Sequence, residues 1–274
     1  MAEFQINGTT LFYEVLGDQN GKETIAFFNG VMASTSSWSL LTPIFEKLGF
    51  RIILHDFKGQ LKSGKPDGPY TFDEHCAEAK ALFEQLGDKK LHLVGTSYGG
   101  EAAMKFAVFY PEMVKTITVI DSVSECDPVV EGLVLGWKIL CDTGDGVKFF
   151  NAMTPSIYGP EFIEKNREML AGRAQALKDN PNNYLEGQKI LYDTFVNDVY
   201  MTDRLCEIKC PALIICGDQD LLKPVKFSQI IADNIPDSEF IILPNCGHVS
   251  IFEKPNELQS VISGFVLKHS ELLK

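Results

Sequence analysis

Ser97 stands in Gly95-Thr96-Ser97-Tyr98-Gly99, directly after an apolar run and directly before good helix formers. A serine hydroxyl is a poor nucleophile at neutral pH and needs an adjacent base. Glycines two residues to either side permit a sharp strand-to-helix turn, a nucleophile elbow, and the following helix aims free N–H groups at the serine's surroundings. A phosphate-binding loop would carry a lysine after its glycines, where this chain has Glu101. Only five histidines are available as the base. His55 and His92 fall inside apolar strands, His75 on an amphipathic helix, and His269 almost at the C-terminus. His248 follows SEFIILPNCG in a loop beyond the last strand, and it is the expected general base. That base needs an orienting carboxylate. Asp220, in GDQDLLKP, is favoured, and Asp121 competes because it also terminates a strand. Asp218 and Asp56 read as turn residues. Charge developing on a substrate oxygen calls for N–H donors: the backbone of Tyr98, directly after Ser97, and of Val31, after Gly30.

These residues must be held by regular elements. Segments 23–30, 51–57, 90–97, 114–122, 212–218 and 238–245 are rich in β-branched residues and nearly continuously apolar, as strands buried on both faces require. Helical patterns alternate with them at SSWSLLTPIFEKLG, TFDEHCAEAKALFEQLG, YGGEAAMKFAVFY, PVKFSQIIADNI and NELQSVISGFVLKH. EFQING and TTLFYEVLG predict an antiparallel hairpin at the sheet edge. The expectation is an α/β fold: a mostly parallel, eight-stranded sheet with helices on both faces. In such sheets ligands bind beyond the carboxyl ends of the strands, where Ser97, Asp220 and His248 all fall. Residues 123–208 break the alternation, holding helical stretches but no convincing strand. This segment predicts a helical cap inserted into a core made of 1–122 and 209–274. Trp38, Trp137, Phe150, Met153 and Val249 are the candidate pocket residues, for a mainly apolar substrate.

Taken in order, NGVM (29–32), DFKGQLKS (56–63), GTSYGG (95–100), GDQDLLKP (217–224) and NCGHVSIFEKP (245–255) resemble the α/β-hydrolase superfamily. The resemblance is to its compact cap-bearing group of enol-lactonases, small esterases, iminopeptidases, haloperoxidases and carbon–carbon bond hydrolases. It spans almost the whole chain, and Ser97, Asp220, His248 is the superfamily's chain order. The resemblance implies hydrolysis of a small carboxylic ester or lactone through an acyl-enzyme, with no metal or organic cofactor. Two departures stand out: Asn29-Gly30 where the family usually has His-Gly, and Lys58 and Leu61 within D-x-R-G-x-G-x-S. An iminopeptidase would want cap carboxylates, for which Glu125, Asp127 and Glu131 are candidates. Carbon–carbon hydrolases often follow the catalytic histidine with tryptophan, where this chain has Val249. A receptor-like protein of the same fold, with little turnover, is the alternative of another class.

Composition narrows the partners. With 37 acidic against 25 basic residues the formal net charge is -12, which repels nucleic acid and anionic membranes and leaves a small molecule as the expected partner. MAEFQINGTTLFYEV lacks the pattern of a signal peptide, and no window reads as a membrane span. Seven scattered cysteines suit a reducing cytoplasm, and the spacing of Cys206 and Cys210 is not that of a zinc site.

Overall fold

Asn7 and Gly8 both take positive φ, 50° and 75°, the backbone that a two-residue hairpin turn needs to match strand twist. They join β1 (Ala2–Ile6) to β2 (Thr9–Gly17), antiparallel with Phe4 opposite Leu11. The remaining strands are β3 (Thr24–Phe28), β4 (Arg51–His55), β5 (Leu91–Thr96), β6 (Val114–Ile120), β7 (Ala212–Gly217) and β8 (Ser238–Leu243). The structure, a computed structural model, describes residues 2–272. One eight-stranded sheet runs in the order β1-β2-β4-β3-β5-β6-β7-β8, parallel from β4 to β8 with β1 and β2 antiparallel at the edge.

Every residue of β3, β5 and β7 is buried, because helices cover both faces. Side-chain alternation splits β3 between two cores: Ala26 and Phe28 point into one, Ile25 and Phe27 into the other. The first core packs against α2 (Phe72–Leu86) and α3 (Tyr98–Phe109); the second packs against α1 (Thr42–Lys47) and the C-terminal helix. Each fully buried phenylalanine contributes about 1.5–3 kcal/mol. The helix α2 starts at Thr71, whose side chain forms a reciprocal capping box with Glu74, and stops at Gly87 with φ of 81°.

Between β6 and β7 lie α4 (Pro128–Asp142), α5 (Gly146–Ile157), α6 (Pro160–Lys165), α7 (Arg167–Ala176) and α8 (Tyr184–Asp198), with no strand among the described residues. The chain closes with α9 (Val225–Asn234), α10 (Ser250–Glu253) and α11 (Pro255–Lys268). Strand ends and one helix differ from the sequence expectation. Each of the six expected parallel strands ends one to two residues earlier, because Asn29, Asp56, Ser97, Asp121 and Asp218 already belong to the loops leaving the sheet. The helix expected over 36–49 splits into a 3-10 turn (Thr35–Trp38) and α1, with Pro43 in the first turn of α1, where its missing N–H goes unmissed. Among the described residues, no helix is long and apolar enough to cross a membrane.

Candidate active site

Ser97 occupies the turn between β5 and α3 with φ 52° and ψ -121°. This is a conformation that a non-glycine residue adopts at about 1–3 kcal/mol and only where its surroundings enforce it. The enforcement is visible. Ser97 N–H donates to the Ile120 carbonyl at 2.7 Å, and the Ser97 carbonyl accepts from Ser122 Oγ and Gly100 N, both at 2.8 Å.

The three residues expected to work together meet. His248 Nε2 lies 3.0 Å from Ser97 Oγ, and His248 Nδ1 lies 2.7 Å from Asp220 Oδ2. An ionised carboxylate only accepts, so Nδ1 carries the proton and Nε2 is left as the acceptor for the serine hydroxyl. Asp220 is itself fixed: its Oδ1 accepts from Leu222 N at 2.9 Å and Lys223 N at 2.8 Å. The loop of His248 is tied to α5 by His248 N–H to the Ile157 carbonyl at 2.8 Å. Burial pulls the imidazole pKa down, but the charge and hydrogen bond of Asp220, with the charge of Asp121, carry it above 6.5 on balance; Lys223 works in the opposite direction.

Asp121 does not reach the imidazole by a hydrogen bond. It accepts from Gly217 N at 3.1 Å and from the hydroxyl and N–H of Ser250, joining the ends of β6 and β7 to α10. Burial and the neighbouring charge of Asp220 push its carboxyl up to about 7. Asp56 is a turn acceptor, taking hydrogen bonds from Asn29 Nδ2, Thr35 N and Lys62 N.

Neither Val31 N–H nor Tyr98 N–H has a hydrogen-bond partner among the described residues. Both residues line the cavity in front of Ser97. A Cβ placed on Gly30 would lie 3.5 Å from Ser97 Cβ, so the loop bearing Val31 runs directly beside the serine. Asn29 is a buried hub: its Nδ2 reaches the His55 carbonyl, Asp56 and Gln60, and its Oδ1 accepts from Trp38 Nε1 at 2.8 Å.

The cavity measures ≈ 380 Å³ and is walled by the sheet's carboxyl-end loops and by α4, α5, α7 and α8. Trp137, Phe150, Met153 and Val249 line it, as expected, together with Tyr158, Tyr192 and Phe195. Trp38 does not. It is fully buried on the other face of the sheet, against Phe27 at 4.8 Å between ring centroids, with its indole N–H spent on Asn29. The Ser/Thr run between Gly30 and Trp38 carries the ring over the carboxyl end of the sheet to its other face, which sequence proximity to the cavity loop does not reveal. No aspartate or glutamate lines the cavity among the described residues. Asp127 caps α4 and pairs with Lys226, Glu131 accepts from Tyr200, and Glu125 accepts from Thr202.

Two further charges at the serine were not anticipated. Lys223 Nζ lies 3.2 Å from Ser97 Oγ and 2.8 Å from Glu101 Oε1, and both side chains are buried. The only sequence signal was position: Glu101 four residues after Ser97, and Lys223 three after Asp220.

The chain is 25% identical to a proline iminopeptidase of Lactobacillus helveticus, over 96% of each chain. It is 26% identical to a 2-hydroxy-6-oxononadienedioate/2-hydroxy-6-oxononatrienedioate hydrolase of Pseudomonas sp, over 98% of this chain and 95% of that one. Among solved structures it superposes with a TM-score of 0.88 and 29% identity, over 97% of both chains, on an alpha/beta hydrolase enzyme from a Medee basin deep-sea metagenome library. The model of the alpha/beta hydrolase fold family matches residues 23–255, a span that runs from β3 past His248, and the chain belongs to that family.

Proposed function

We propose that the protein is a serine hydrolase acting on a small carboxylic ester or lactone, with Ser97 as nucleophile, His248 as base and Asp220 as its orienting carboxylate. The observation that carries this reading is the continuous contact from Asp220 through His248 to Ser97, at 2.7 and 3.0 Å, opening onto a largely apolar cavity. Residues 123–208 act as the cap over that cavity.

In the reaction, His248 Nε2 takes the Ser97 proton as Oγ bonds to the carbonyl carbon. The carbonyl electrons move onto oxygen, where the N–H groups of Val31 and Tyr98 stabilise the charge; each such donor is worth about a hundred- to thousand-fold in rate. As the tetrahedral species collapses, the bond to the leaving oxygen breaks and His248 returns the proton to it. Water, deprotonated by the same histidine, then cleaves the acyl-enzyme.

The cavity disfavours an iminopeptidase reading. A substrate ammonium buried there would need a carboxylate partner, and Glu125, Asp127 and Glu131 are engaged elsewhere. The test is hydrolysis of p-nitrophenyl acetate, a γ-lactone and a prolyl p-nitroanilide, by wild type and by Ser97→Ala. Ester or lactone turnover that vanishes in Ser97→Ala is expected. Full activity in that variant would refute the mechanism, and a preference for the prolyl amide would refute the substrate class.

A further inference from the structure

Lys223 and Glu101 form a buried ion pair against the reacting oxygen. An ammonium has three donors and no acceptor, so the 3.2 Å contact makes Ser97 Oγ the acceptor. The hydroxyl has one proton, and with Lys223 on one side that proton points to His248 Nε2, 3.0 Å away on the other. Lys223 is held from three directions: Glu101 on α3, the face of Phe195 on α8 at 4.5 Å, and its own backbone N–H on Asp220.

The pair is poorly explained by stability alone. Glu101 is fully buried and its Oε2 has no hydrogen-bond partner among the described residues. A buried ion pair seldom stabilises a fold more than apolar side chains of the same volume would, and an orphaned carboxylate oxygen makes the balance worse. What the pair does achieve is a cation fixed within hydrogen-bond distance of the nucleophile, with its own side chain buried.

We infer that Lys223 is a further catalytic residue, donating to Ser97 Oγ so that the hydroxyl proton is aimed at His248 and the negative charge growing on Oγ is stabilised. Glu101 is its positioning residue, anchoring the ammonium and balancing its charge. The inference rests on the serine-hydrolase reading above. Its electrostatic consequence falls on His248, which also faces Asp220, Asp121, Glu101 and Glu253; Lys223 faces, besides Glu101, the Cys126 thiol, which burial keeps protonated. Removing the cation raises the imidazole's proton affinity, and removing the Glu101 charge lowers it.

The experiment uses a fluorophosphonate probe, which labels an activated serine whatever the natural substrate. Labelling rate is followed against pH for wild type, Lys223→Met and Glu101→Gln, with thermal denaturation of each. Lys223→Met is expected to label ~100- to 1000-fold more slowly, as loss of one donor at the transition state implies, with its acid limb displaced to higher pH. Glu101→Gln, which loosens the hold on the ammonium, is expected to label more slowly than wild type but faster than Lys223→Met, with its acid limb displaced to lower pH. The limb shifts report the charges' proximity to His248; a purely structural pair would leave the labelling rate unchanged on the pH plateau above the limb, where Lys223→Met is expected to lower it. If Lys223→Met fails to fold, the double variant Lys223→Met, Glu101→Leu removes the stranded buried charge and is expected to fold and label as slowly. Wild-type labelling of Ser97 with an unchanged plateau rate in Lys223→Met, or in the double variant, would overturn this inference alone. No labelling of wild type would overturn the hydrolase reading and this inference with it.

Discussion

Replacing Gly95 with alanine places a methyl group where the elbow has no room. Its Cβ would sit 2.1 Å from the Gly99 carbonyl oxygen, 2.5 Å from the Gly99 carbonyl carbon and 2.7 Å from Gly100 N. All three are backbone atoms in the first turn of α3, so no side chain can swing aside. Reaching an ordinary separation of about 3.4 Å requires β5 and α3 to part by about 1.3 Å. Ser97 lies between them, its Oγ 3.0 Å from His248 Nε2. Overpacking of this kind costs about 3 kcal/mol, the upper end for a well-packed core. At about 2–4 °C per kcal/mol for a chain of this size, Gly95→Ala should melt about 6–12 °C lower. A nucleophile displaced by about 1 Å should also lose about a hundredfold in rate. Gly132→Ala is the matched control: it lies in α4 with nothing within 4 Å of an added Cβ, and the same methyl there should add about 0.4–1 kcal/mol. Differential scanning calorimetry and fluorophosphonate labelling read both variants. Wild-type melting and labelling in Gly95→Ala would show that the tight elbow does not govern the serine's position.

Three further outcomes are expected. Asp220→Asn should lose about ten-thousandfold in p-nitrophenyl ester turnover, because an amide holds the imidazole in the wrong tautomer; Asp121→Asn should stay within about tenfold, and the reverse ranking would reassign the carboxylate. Because a base works only when neutral and the pKa of His248 is raised, the acid limb of kcat/KM should fall above pH 6.5. Asp121→Asn, by removing a charge that raises it, should move that limb to lower pH. Asn29→Leu should destabilise by about 3 kcal/mol or more on urea titration, since the Trp38 indole N–H, Asp56 and Gln60 each lose a buried partner.

Much of this was legible without coordinates, and the reason is local. The glycines around Ser97 answer a backbone requirement confined to five residues, and the apolar central strands advertise burial on both faces through composition alone, whereas β8, read the same way, lies at the sheet edge and is buried only at Leu243. Asn7-Gly8 announced its turn for the same reason: two positive φ values are a property of those two residues. Chain order then pointed to Asp220 and His248, because loops leaving the carboxyl ends of neighbouring parallel strands must converge.

Tertiary structure decided what depends on direction rather than position. Asp121 and Asp220 both end core strands, yet only Asp220 turns an oxygen to the imidazole, while Asp121 is taken up by Ser250 and Gly217. Trp38 sits close in sequence to the cavity loop but packs on the opposite face of the sheet. Lys223 and Glu101 are 122 residues apart and meet at 2.8 Å only because α3 and the loop after β7 share one end of the sheet. A residue's place along the chain is set by its neighbours in sequence; which way its side chain points is set by packing among residues far apart.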